Sequence, residues 1–121
     1  MTDRIAVLVV DDEVLVRLDV AEQLREAGYE VLEASNADEA IDILNVTPSI
    51  RLLFTDIDMP GTMDGLRLAA AVRDRWPPVK IIVTSGHRMV DITEIPDGSM
   101  FFSKPYAPLD VLRSMRDLLS A

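Results

Sequence analysis

At 121 residues the chain has room for one domain and, lacking cysteine, excludes a disulfide framework and a thiolate metal site. Its 49% hydrophobic residues form no apolar stretch near the ~20 residues of a bilayer span, and MTDRIAV has no secretory leader pattern, so a cytoplasmic protein without membrane contact is expected. Acidic residues outnumber basic ones 21 to 12, and the resulting charge of −9 argues against direct nucleic-acid binding.

Ile5 to Val10 are consecutively apolar, as suits a strand covered on both faces. Val14, Leu15, Leu18, Ala21, Leu24 and Ala27 then recur at helical spacing, with Gly28 placed to end the helix. Tyr29 to Ala34 alternates like a second strand. Asn36 and Glu39 form a plausible capping box for a helix to about Asn45, closed by Thr47 and Pro48. Arg51 to Thr55 reads as strand three, MPGTMDG as a loop, Leu66 to Trp76 as a helix stopped by Pro77-Pro78, and Val79 to Val83 as strand four. Trp76 reads as a packing residue.

From His87 to Asp97 the periodicity is poor, so any fourth helix should be short or weak, and His87 is expected as an exposed loop residue. Pro96-Asp97-Gly98 marks a turn. Met100 to Ser103 is a short fifth strand, and Pro108 suits the first position of a last helix burying Leu109, Val111, Leu112, Met115, Leu118 and Leu119. Strand-helix alternation five times over predicts an α/β fold, a doubly wound parallel sheet with helices on both faces. A single domain over 1–121, without repeat, linker or output domain, is expected.

Asp11 and Asp12 end the first strand, Asp56 ends the third, and Lys104 follows the fifth. Parallel strands would bring these groups to one edge, where open α/β sheets hold ligands. Carboxylates crowded there repel one another unless a cation offsets them. Ligation by oxygen alone points to a hard ion, and Mg2+ with a phosphoryl group fits best.

LVVDDE, LLFTDIDMP, IIVTSG and FFSKP, in that order and at strand ends, resemble the receiver domain of two-component response regulators along the whole chain. The resemblance implies a flavodoxin-like (β/α)5 sheet in the order 2-1-3-4-5. It makes Asp56 the phosphoryl acceptor and a Mg2+ ligand, Asp12 a direct ligand, Asp11 a ligand largely through water, and the backbone carbonyl of Asp58 a further ligand. Thr84 and Lys104 would bind phosphoryl oxygens, Lys104-Pro105 would be cis, and Thr84 with Phe101 would form the switch. That switch would alter the surface of the fourth helix, fifth strand and fifth helix.

The implied function is a stand-alone phosphorelay module, not an enzyme beyond self-phosphorylation and self-dephosphorylation. Its partners would be a sensor histidine kinase or histidine phosphotransfer protein and a downstream protein the sequence does not identify, with the chain a monomer or a phosphorylation-dependent dimer. Two other readings stand beside it: a degenerate receiver serving as a constitutive docking module, and a haloacid-dehalogenase-like phosphatase using Asp56 and Asp58. Three departures from the family pattern are visible: a loop after Asp56 one residue longer than usual, Gly86 two residues after Thr84, and the weak fourth helix.

Overall fold

The computed structural model describes residues 4–61, 63–86 and 92–120. Five parallel strands, β1 (Ala6–Val10), β2 (Glu30–Ala34), β3 (Ile50–Asp56), β4 (Lys80–Ser85) and β5 (Met100–Ser103), pair in the order β2-β1-β3-β4-β5. This is the expected sheet. Every residue of β1 is buried, because successive side chains enter two different cores. Ala6, Leu8 and Val10 pack with α2 (Ala37–Val46) and α3 (Gly65–Arg75), whereas Val7 and Val9 pack with α1 (Val14–Glu26) and α4 (Pro108–Ser120).

The helix boundaries have local causes. Gly28, at φ +102°, follows the end of α1 in a conformation that side chains disfavour. Asn36 caps α2 by accepting from the Glu39 amide at 2.9 Å, but Glu39 reaches back to Ser35, one residue earlier than a capping box requires. Asp64 caps α3 through the Arg67 amide at 2.9 Å. Trp76 packs on the α3-side core, as expected, with the Arg75 guanidinium 5.9 Å from its ring centre.

Two expected apolar faces need correction. Val14, Leu15 and Leu18 are 53%, 82% and 46% exposed, while the buried stripe of α1 is Val20, Ala21 and Leu24. Leu15 precedes Leu24 by nine residues, about two and a half turns, and therefore lies on the opposite side of the helix. In α4, Val111 and Met115 are buried, Leu112, Leu118 and Leu119 are half-buried, and Leu109 is 66% exposed. The amphipathic pattern located both helices but placed the inward face of each too close to its first turn.

Between β4 and β5, the described residues hold one short 3-10 turn, Ile92–Glu94. The turn expected at Pro96-Asp97-Gly98 forms, with the Ser99 amide donating to the Pro96 carbonyl at 3.0 Å and Gly98 at φ +83°. The expectation for His87 lies outside the described residues. Among the described residues, no helix is long and apolar enough to cross a membrane.

Candidate functional site

The sheet's carboxyl edge is built by register. Val10 pairs with Thr55 and Asp56 with Thr84, so Asp11, Asp56 and Thr84 emerge side by side, and Ser85 pairs with Ser103, just before Lys104. The Lys104 amide donates to the Ser85 carbonyl at 2.9 Å, and the Lys104–Pro105 peptide is cis. Asp11, Asp12 and Asp56 each offer a carboxylate oxygen to a cluster spanning at most 4.8 Å. Lys104 Nζ lies 3.4 Å from Asp11 Oδ2 and 3.5 Å from Asp56 Oδ2. The four charged groups singled out in the sequence are thus brought together from three strand ends.

The surroundings bias their ionisation. Burial pushes the Asp56 carboxyl up to about 6; the Lys104 ammonium opposes this, the Asp11 charge adds to it, and Asp58 contributes a lowering backbone amide and a raising carboxylate. Asp11 is raised by burial, against the Glu13 amide that donates to its Oδ1 at 2.9 Å and against Lys104. Burial disfavours the Lys104 ammonium, but Asp11 and Asp56 outweigh it, so the lysine stays charged to higher pH than usual. Tyr106, packed edge-on against Phe54 and Phe102, is pushed up to about 12 by burial and by the Asp11 and Asp56 charges.

Two buried oxygens lack a hydrogen-bond partner among the described residues: Asp56 Oδ1 and Thr84 Oγ1. Both face neighbours on the same edge, Asp56 at 2% exposure and Thr84 at 1%. Leaving such atoms unpaired costs about 1–3 kcal/mol each, a strain that a bound ligand would relieve. The oxygen-only donor set fits Mg2+, whose ligands sit at about 2.0–2.1 Å, so the 4.8 Å cluster needs only modest contraction.

The sequence reading missed three contributors. Arg17 donates from Nη1 to the Asp11 carbonyl at 2.9 Å and from Nε to Glu33 Oε1 at 3.1 Å. A forked cation one turn into the helix after an acidic strand end was the available signal. Ser85 Oγ donates to Asp58 Oδ2 at 2.8 Å, a link across 27 residues that no local pattern announces. A Cβ on Gly65 would lie 2.7 Å from the Asp56 carbonyl carbon and the Ile57 Cα, so the glycine lets α3 start directly against the end of β3. Phe101 is half-buried against the α3-side core, and Phe102 points to the opposite face.

Comparison with known proteins agrees with this geometry. The family model described as the response regulator receiver domain matches residues 7–115. A chemotaxis protein CheY homolog of Campylobacter jejuni subsp. jejuni is 32% identical over 118 residues, covering 93% of this chain and 90% of that protein. An NtrX-like response regulator of Rickettsia felis is 31% identical over 104 residues, covering 83% of this chain; the match spans only 22% of that longer protein. Among solved structures, a response regulator receiver protein from Sinorhizobium medicae superposes with a TM-score of 0.90 at 29% identity, covering 98% of this chain and 97% of that one. The receiver domain of NtrX from Brucella abortus gives 0.86 at 32% identity, covering 95% and 98%. With its sheet order, its strand-end acids and its lysine all in place, the chain belongs to the response regulator receiver domain family.

Proposed function

We propose that the chain is a single receiver unit over 1–121, in which Asp56 accepts a phosphoryl group from a phosphohistidine of a sensor kinase or phosphotransfer protein. The observation that carries this reading is the buried pair of unpartnered oxygens, Asp56 Oδ1 and Thr84 Oγ1, beside the Lys104 ammonium and the three-carboxylate cluster. In the transfer the donor P–N bond breaks, a P–O bond to Asp56 forms, and the freed imidazole carries away the electron pair. Lys104 and Thr84 would hold phosphoryl oxygens, offsetting charge that the acids alone would repel. Asp12, Asp56, the Asp58 carbonyl and, largely through water, Asp11 would hold Mg2+. When bound, Mg2+ neutralises the crowded carboxylates and stabilises charge on the transferring group.

Thr84 would also be the moving part of the switch. A hydroxyl drawn toward a phosphoryl oxygen vacates space beside Phe101, whose half-buried ring can turn further into the α3-side core. The surface around the 92–94 turn, β5 and α4 then changes, and a downstream protein reads it.

Acetyl phosphate with Mg2+ tests the acceptor. One phosphoryl group per chain is expected by intact mass, lost in Asp56→Asn and on removal of Mg2+ by chelation. Labelling that persists in Asp56→Asn would place the acceptor elsewhere, and a folded wild-type chain that never labels would favour a constitutive docking module.

A further inference from the structure

Outside the cluster, the most organised polar network of the described residues joins α1 to β2. Glu33 on β2 receives two guanidinium groups: Arg17 Nε at 3.1 Å and Arg25 Nη2 at 3.2 Å. Arg25 also donates to the Val31 carbonyl at 3.0 Å, whereas Arg17 turns the other way and donates to the Asp11 carbonyl at 2.9 Å. The two arginines share one acid, but only Arg17 touches the strand end that carries the cluster. Its side chain is 15% exposed, against 48% for Arg25.

The Asp11 carbonyl belongs to the peptide that joins Asp11 to Asp12. The Asp11 amide still pairs with the Ala34 carbonyl at 3.1 Å, so the sheet holds the near side of Asp11. Beyond it the ladder ends, and Asp12 is exposed. With its planar fork pinned by Glu33, the Arg17 guanidinium can fix the plane of that last peptide. The plane sets the direction in which Asp12 leaves the backbone.

We propose that Arg17 is a positioning residue for cation binding, acting through the Asp11–Asp12 peptide to aim the Asp12 carboxylate into the cluster. This rests on the Mg2+ reading above. A purely electrostatic role predicts the opposite sign. Removing a cation near three carboxylates should tighten binding of a divalent ion, whereas removing an orienting hydrogen bond should weaken it.

Titration calorimetry with Mg2+ alone, on wild type, Arg17→Met and Arg25→Met, separates the two. Both variants lose one positive charge and one Glu33 contact, but only the first frees the Asp11 carbonyl. Arg17→Met should bind Mg2+ about 10-fold more weakly, in the range seen when a partner behind a metal ligand is lost. Arg25→Met should bind as wild type does, or more tightly. Should Arg17→Met not stay folded, Arg17→Lys carries the same test: an ammonium keeps the charge but has no fork, and affinity should still fall several-fold. The inference is overturned if the Arg17 variant binds as well as wild type or better, or if Arg25→Met loses as much. A wild-type chain with no measurable Mg2+ affinity sinks the acceptor reading itself, whereas a binding wild type with an unaffected Arg17 variant sinks this inference alone.

Discussion

Asp56 is 2% exposed, and burial pushes its carboxyl up to about 6 against an ordinary 3.8, whereas the acceptor role proposed above requires the ionised form. A raised acid pKa means that the folded chain holds the proton more tightly than the unfolded chain. The corresponding stability is full below about pH 3.8 and is lost as pH rises through about 6. At about 1.4 kcal/mol per pKa unit, the ionised carboxylate costs the metal-free fold about 1–3 kcal/mol at pH 7. Asp56→Asn should therefore raise metal-free stability at pH 7 by about that amount in urea denaturation, with the gain fading toward pH 4. Saturating Mg2+ should stabilise wild type and narrow the gap. A variant no more stable than wild type at pH 7 would show that Lys104 already compensates the burial in full.

At the scale of elements, the site depends on how closely α3 approaches β3. The Gly65 amide donates to the Ile57 carbonyl at 3.0 Å, and the Ile57 amide donates to the Thr84 carbonyl at 2.8 Å, tying the α3 start, the segment after β3 and the end of β4 together. Gly65→Ala would press a methyl into the backbone of Asp56 and Ile57, where no flexible side chain can yield. It should cost about 1–3 kcal/mol and, on the proposed function, slow acetyl phosphate labelling, because the added volume displaces Asp56. Wild-type melting and labelling in this variant would mean that α3 shifts freely. This closeness was hidden in the sequence, where Gly65 read as the end of a loop; backbone approach across the fold leaves no periodic trace. The reverse holds for Asn36, whose cap is a local bond and was legible from residue type and spacing alone.

For the whole molecule, topology was legible because each β-α unit carries its own pattern, and strand-end residues in a parallel sheet must share an edge. What the pattern did not give was the outer surface, since it turned Leu109 inward and counted Leu15 within the apolar periodicity of α1. Left outside, Leu15 borders a groove of about 710 Å³ lined by Val16, Val20, Pro105, Tyr106 and Pro108, and the same groove reaches Gly86 and Lys104. Under the proposed function a protein donor would bring its histidine within bonding distance of Asp56 and so cover part of this apolar rim; acetyl phosphate is small enough to pass without touching Leu15. Leu15→Glu, at an 82% exposed position, should leave stability within about 0.5 kcal/mol. It should leave acetyl phosphate labelling within about two-fold, yet slow transfer from whichever phosphorylated histidine kinase or phosphotransfer domain labels wild type fastest by about 10-fold or more. Equal slowing with both donors would mean that the substitution disturbs the acceptor. Unchanged transfer from the protein donor would place its docking surface away from α1.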